Sequence, residues 1–314
     1  MVIDEYGGSD KLQLRELPDP TPKAGELLVR VRAASVNPAD WKIAEGGLRL
    51  VFPIKFPYTP GGDVAGEVVA VGPGVTQFKA GDQVVAFVDL KQGGGYAELA
   101  VVKASATALK ANSLSFIEAA SLPIAAGTAL QALRDKGQLL PGQSILINGG
   151  AGGVGHFAVQ IAKAFGANVS ATCGTNNVEF VKSLGTDVVI DYAKQDFTQG
   201  PGKYRVIFDA VGKSSFAACR SILEPTGIYV TTLPKPGVFV QMAVQSIAGL
   251  FGKTQRASVI LAQLSGADLA TLGHLADHGK LKPTIGATYR LDQVAQAWQE
   301  SQKGHARGKI VIEV

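Results

Sequence analysis

The chain has 314 residues, enough for one large or two ordinary domains, and its 46% hydrophobic and 18% charged content is that of a globular protein with ample core. The formal charge is +4 with Lys and Arg scattered rather than clustered, which argues against a nucleic-acid-binding stripe, and no apolar run reaches the about 18 residues of a membrane helix. The two cysteines, Cys173 and Cys219, make neither a disulfide framework nor a metal cluster and suit a reducing compartment.

Met1-Val2-Ile3-Asp4 reads as entering a strand with almost no lead-in, as in a chain whose targeting segment has been removed. The first 120 residues are β-rich, with strands expected at 27–33, 63–71, 84–88 and 96–102, bounded by turns at 22–25, 72–74 and Gly81-Asp82. From about Pro123 the rhythm becomes strand, helix, strand, helix. Strands are expected at 145–148, 169–172, 188–190, 206–209 and 228–232, with a sixth at 258–261. Val154, Phe157, Ala158, Ile161, Ala162 and Phe165 fall on one helical face, and a second helix over 179–184 is ended by Gly185. This alternation implies a doubly wound parallel sheet. A helix at 292–301 and a strand at 309–314 return to the first domain, so the expected division is 1–122 with 265–314 against 123–264.

The sharpest motif lies at 144–155, Ser-Ile-Leu-Ile-Asn-Gly-Gly-Ala-Gly-Gly-Val-Gly. An apolar strand runs into Gly150-x-Gly152-Gly153-Val154-Gly155 and a helix follows at once. Gly150 would make the turn, Gly152 would let backbone approach a pyrophosphate, and Gly155 would let helix and strand pack closely. The plainer alternative is a Gly-rich turn. An NAD site usually has an acid at the end of the next strand, roughly 20 residues on, to hold the ribose 2′-OH. Here that strand ends in Cys173-Gly174-Thr175-Asn176-Asn177, small polar groups suited to a phosphate, so NADPH is the expected cofactor. Helix capping is the alternative for Asn176 and Asn177. His274 and His278 share a helical face but have no neighbouring Glu and no third ligand, and read as surface residues.

Several segments together carry a family resemblance: Ser35-Val36-Asn37-Pro38-Ala39-Asp40-Trp41-Lys42, Pro60-Gly61-Gly62-Asp63-Val64-Ala65-Gly66, the glycine loop, Ile190-Asp191-Tyr192, Asp209-Ala210-Val211-Gly212 and Gly304-His305-Ala306-Arg307-Gly308-Lys309. The chain resembles a zinc-independent quinone oxidoreductase of the medium-chain dehydrogenase/reductase superfamily, nearest to plant-type enone reductases and chloroplast-envelope quinone oxidoreductase homologues. The resemblance implies a GroES-like β-rich catalytic domain beside a Rossmann domain, with NADPH in the cleft between them. It implies that Tyr192 lies near the adenosine phosphate, that Lys42 touches the nicotinamide end, and that Thr128, Leu233, Arg307, Gly308 and Lys309 line the cofactor. Solvated lysine, helix N-cap, loop hydrophobe and hairpin turn are the respective alternatives for Lys42, Thr128, Leu233 and residues 307–309. Relatives often carry Lys or Arg near 176 and 177, so the two Asn here imply a weaker preference for NADP, or dual use.

Zinc alcohol dehydrogenases need a Cys, a His and an acid around an open metal site. The matching positions are Asn37, Gly62 and Asp63, and residues 89–95 lack the four-cysteine lobe, so no metal is expected. Without a Lewis acid the easier hydride acceptors remain, quinones and enones, whose conjugation delocalises the incoming electron pair. Asn37 is then the candidate contact to the substrate oxygen, or else a turn residue before Pro38. Lys42 would help protonate the enolate, a task water could share, while Asp40 would cap local structure. Tyr58 and Phe56 are expected in the core rather than at the pocket mouth. The apolar segment 239–251 suits a helix at a dimer face, a lid or a membrane-touching surface. The expected partner is thus a small quinone or enone, with no nucleic acid and no integral membrane segment, in a homodimer or a monomer. The alternatives are an enoyl-thioester reductase and an NADPH-binding protein with little turnover. A cytoplasmic location is expected, or by the resemblance a plastid one peripheral to the envelope.

Overall fold

The structure, a computed structural model, describes residues 1–50, 52–233, 254–263 and 265–314. It divides into two compact units: Met1–Gly127 with Gln263–Gly279 and Pro283–Val314, and Thr128–Ala262 with Lys280–Lys282.

The first unit is built on β1 (Glu26–Val36), where Val29 and Val31 point inward while Arg30 and Arg32 point to water, the two-residue period of a half-buried strand. From Ala33 onward every β1 residue is buried, because a short helix, α2 (Phe116–Ala120), covers this end. β1 pairs antiparallel with β2 (Asp63–Val71), β4 (Leu99–Lys103) and β13 (Lys309–Glu313). β3 (Gln83–Phe87), β5 (Thr107–Leu109) and β12 (Ile285–Arg290) complete the sheet, in the order β12-β13-β1-β2-β3-β5 with β4 against β1. Ser35 stands opposite Asp63 on one side and Val311 on the other, so three distant chain segments meet at one point. α1 (Pro38–Ala44) leaves β1 directly, α7 (Gly266–Asp277) lies against β5, and α8 (Val294–Gln302) buries Val294, Ala297 and Trp298.

The second unit is a six-stranded parallel sheet of β6 (Ser144–Asn148), β7 (Asn168–Cys173), β8 (Val188–Asp191), β9 (Tyr204–Asp209), β10 (Leu223–Thr231) and β11 (Arg256–Val259). Its order, β11-β10-β9-β6-β7-β8, is the doubly wound arrangement, with the direction of winding reversing between β6 and β9. α3 (Pro123–Gln131) leads in, and α4 (Gly155–Ala164), α5 (Val178–Ser183) and α6 (Phe216–Cys219) connect strands. α4 is buried along nearly its whole length, from Gly155 to Ala162.

Four expectations shift. Residues 1–4 form no strand: Val2 bridges Gln13 and Ile3 bridges Tyr58, single contacts with two different segments that cannot build a ladder. The strand expected from 96 begins at Leu99, and the one expected at 258–261 runs from Arg256 to Val259, where β10 offers a partner. Tyr58 is core, whereas Phe56 is partly exposed and packs edge-on to Tyr6. The segment 239–251 lies outside the described residues.

Candidate functional site

In the second unit the end of β6 leads into the glycine loop. Gly149, not Gly150, makes the turn, with φ +89°, a conformation that side chains with a Cβ avoid. Its N–H donates to Thr172 Oγ1 at 3.0 Å, and the Gly150 N–H to the Thr172 carbonyl at 2.8 Å. Gly150 is small for packing: a Cβ there would stand 2.9 Å from the Ala171 Cβ. A Cβ on Gly155 would run into the Gly149 carbonyl, so this glycine lets α4 press on the turn. At Gly152 the nearest atom to an added Cβ is the Gly149 carbonyl oxygen, at an ordinary 3.6 Å among the described residues. A side chain at Gly152 would therefore meet no close contact among the described residues. The N–H groups of Gly153, Val154 and Gly155 take no backbone acceptor among the described residues, the open donor set of a helix N-terminus.

Beside this loop, at the point where the winding reverses, lies a buried polar cluster. Thr172 donates to Asn148 Oδ1 at 2.6 Å, and Asn148 Nδ2 donates to Asp209 Oδ1 at 2.9 Å. Asp209 also accepts from the N–H groups of Val211, Gly212 and Ser214 and from the Tyr229 hydroxyl. Burial and the neighbouring Asp209 push the Tyr229 phenol well up. Leu233 packs over Gly212, and Val211 lies against Gly149.

At the end of β7, Thr175, Asn176 and Asn177 form one 3-10 turn leading into α5. Asn177 holds the N-cap position without a side-chain cap bond, so capping does not account for it. Tyr192, more than half exposed, leans across Gly174: a Cβ there would be 2.9 Å from its hydroxyl. Thr175–Asn177 and Tyr192 thus flank the same glycine. An acid does lie close by, one strand over. Asp191 is paired in register with Cys173 and has Lys194 Nζ at 3.6 Å. Thr128 is buried inside α3, five residues past its start, so it is no N-cap.

The first unit holds a second buried cluster. Asp63 Oδ2 accepts from Ser35 Oγ and from Asn37 Nδ2, both at 2.7 Å, and Asp63 Oδ1 accepts from the Ile124 N–H at 3.0 Å. Lys309 Nζ donates to Asn37 Oδ1 at 2.6 Å and to the Val36 carbonyl, and stands 3.7 Å from Asp63. Burial raises the Asp63 carboxyl and lowers the Lys309 ammonium, while each opposes the shift of the other. Asp40 Oδ2 accepts from the Asn37 N–H and the Tyr96 hydroxyl, whereas its Oδ1 has no hydrogen-bond partner among the described residues. Burial lifts the Asp40 carboxyl to about 7.

This cluster corrects two site expectations. Asn37 and Lys309 are each 3% exposed, and both ends of the Asn37 amide are engaged inside the cluster. Asn37 is therefore not a contact to a substrate oxygen, and the Lys309 ammonium is turned into the core rather than toward a cofactor. Arg307 is exposed, and Gly308, at φ +64°, presses on the Thr284 carbonyl, a close approach between β12 and β13. Lys42 is half-buried on α1 with its Nζ 5.2 Å from the Trp41 ring. His274 and His278 stack on each other, both exposed, and no group of metal-ligating side chains forms among the described residues. Nor is any described helix long and apolar enough to cross a membrane.

Ser35, Tyr96, Asn148, Thr172 and Tyr229 were not expected. For all but Tyr96, which precedes β4, the one sequence signal is a polar residue near the end of an otherwise apolar strand, as at Asn148 after Ile145-Leu146-Ile147.

Comparison with known proteins matches residues 23–112 to the alcohol dehydrogenase GroES-like domain and residues 184–312 to the zinc-binding dehydrogenase family. A chloroplast envelope quinone oxidoreductase homolog of Arabidopsis thaliana is 40% identical, over 98% of this chain and 95% of its own length. An NADPH-dependent alkenal/one oxidoreductase, chloroplastic, of the same plant is 35% identical over 99% of this chain and 78% of its own. Among solved structures, a quinone oxidoreductase from Coxiella burnetii superposes with a TM-score of 0.86 at 32% identity, covering 100% of this chain and 98% of that one.

Proposed function

Because the chain belongs to the medium-chain dehydrogenase/reductase superfamily and is a nicotinamide-dependent oxidoreductase, we propose that it is a zinc-free, NADPH-dependent reductase of quinones or α,β-unsaturated carbonyls. The observation that carries the zinc-free part is Lys309. Its ammonium stands 3.7 Å from Asp63, so the position of the acidic zinc ligand already has a cation and two close donors, Ser35 and Asn37. Gly62 has no room for an imidazole either: a Cβ there would meet Leu90 Cδ2 at 2.7 Å and Ile124 Cδ1 at 2.8 Å. Neither cysteine lies in this unit. The donor set does not fit zinc.

The glycine loop fits a dinucleotide. Gly152 leaves an open approach, and the N–H groups of Gly153, Val154 and Gly155 would hold the pyrophosphate. Thr175, Asn176, Asn177 and Tyr192 would surround the 2′-phosphate, with Lys194 as the nearby cation that offsets Asp191. Thr128, Leu233, Arg307 and Gly308 keep their place as proposed cofactor-lining residues. Bound NADPH supplies the hydride. A conjugated acceptor spreads the charge that arrives, so hydrogen bonds to its oxygen replace a Lewis acid. Lys42 Nζ would orient the nicotinamide end and hold the proton delivered to the reduced acceptor. A cytoplasmic or plastid location belongs to the same proposal; two of the relatives are chloroplast proteins by name.

Mixing the protein with NADPH and a panel of quinones, enones and an enoyl-thioester tests the reading. We expect nicotinamide absorbance to fall with quinones or enones and NADPH to bind more tightly than NADH. Absorbance that stays constant with every acceptor would refute the activity, and tighter NADH binding would refute the assignment of Thr175–Asn177.

A further inference from the structure

We propose that Asp209 is a positioning residue of the dinucleotide site, acting as the anionic end of a hydrogen-bond chain that begins at the glycine turn. The proposal rests on the reading of the glycine loop as that site. The chain runs one way. The Gly149 N–H donates to Thr172 Oγ1, the Thr172 hydroxyl donates to Asn148 Oδ1, and Asn148 Nδ2 donates to Asp209 Oδ1, at 3.0, 2.6 and 2.9 Å. A carboxylate accepts only, so it fixes which way the Asn148 amide faces. That in turn fixes the direction of the Thr172 hydroxyl, and leaves the Thr172 oxygen lone pairs for the turn. Donors aligned in series polarise one another, and an ionised terminus strengthens the links behind it.

The same carboxylate holds the other side of the site. The Gly212 N–H reaches Oδ1 at 2.8 Å and the Val211 N–H at 3.3 Å, while the Ser214 N–H reaches Oδ2 at 2.9 Å and the Tyr229 hydroxyl at 2.8 Å. This wraps the loop after β9 around one buried group. The loop in turn sets two apolar side chains at the ends of the parallel strands. Val211 and Leu233 are 39% and 38% exposed, Val211 resting on Gly149 and Leu233 on Gly212. Asp209 therefore couples the turn that would hold the pyrophosphate to the apolar wall beside it, at the reversal point where ligands bind in such sheets. It has no solvent contact, so it would act on a bound dinucleotide through these neighbours.

The test is calorimetric titration of NADPH into the wild type, Asp209→Asn and Thr172→Val, which yields both Kd and the number of sites. Asn at 209 offers one acceptor oxygen and puts an NH2 against N–H donors. Kd should rise about tenfold, the weight of one charge-assisted hydrogen bond, with the number of sites unchanged. Thr172→Val keeps the shape but leaves the Gly149 N–H unpaired, and should raise Kd several-fold. The Michaelis constant for NADPH should rise in step while kcat changes less. A merely structural role predicts the opposite pattern, fewer sites at an unchanged Kd, and that result overturns the proposal. Should Asp209→Asn not fold, the Kd of Thr172→Val decides by the same criterion. A wild type that binds no NADPH would instead bring down the reading of the site, and this proposal with it.

Discussion

Asp63 in the first unit and Asp209 in the second are both 0% exposed, yet the fold satisfies them by different means. Asp63 takes three donors and an ammonium, so its neighbourhood is close to neutral. Asp209 takes five N–H and O–H donors and no cation among the described residues. A carboxylate held by neutral donors remains a local anion, and it orients every group that points at it. A carboxylate held by an ammonium closes on itself. The second unit thus carries a polarised loop, whereas the first carries a cross-link that ties β1, β2 and β13 together. Asp40, beside that cross-link, shows a third solution, a carboxyl that burial lifts to about 7, so that it holds its proton well above the ordinary carboxylate range.

Removing the ammonium should break the comparison most forcefully. Lys309→Met leaves Asp63 buried without its cation and should cost about 3–5 kcal/mol in urea denaturation. Adding Asp63→Asn to it should restore most of the loss; a single variant as stable as the wild type would contradict the ion pair. The next effect concerns pH. The Asp40 carboxyl lies at about 7 in the folded protein against 3.8 as its ordinary value, so the unfolded chain releases its proton first. Its contribution to stability is complete below the unfolded pKa and is lost as pH rises toward the folded one. Stability of the wild type relative to Asp40→Asn should therefore fall between about pH 4 and pH 7 and level off above. Asp63, Lys309 and Tyr96 face the same group, so the difference between the two proteins reports Asp40 together with its coupling to them. A flat difference would show that Asp40 is ionised throughout.

Two glycines sharpen the picture of the loop. Gly155→Ala drives a methyl into the Gly149 carbonyl and should cost about 1–3 kcal/mol, whereas Gly152→Ala should leave the melting temperature nearly unchanged and raise the Kd for NADPH. Equal loss of stability in both would mean that Gly152 is also packed. The smallest effect is Tyr229→Phe, which removes one of five donors to Asp209 and should cost about 1 kcal/mol.

Most of the fold was legible because its elements repeat a local pattern. The strand at 63–71 matches β2 residue for residue, and alternating strands and helices announced the parallel sheet. The site was legible where it is contiguous, as in the glycine loop and Thr175–Asn177. It was not legible where residues meet through tertiary pairing. Nothing local to Lys309, after Arg307-Gly308, says that its side chain turns back to Asn37, more than two hundred residues earlier. The turn glycine was misplaced by one residue because several glycines follow β6, and where the strand stops is decided by its pairing with β7 and β9.

The most direct test of a zinc-free reductase is NADPH oxidation by a quinone, measured on protein stripped with a strong chelator and assayed for metal. The account predicts undiminished turnover with no zinc in the preparation and no gain when zinc is added. Activity that disappears with the chelator and returns with zinc would contradict it.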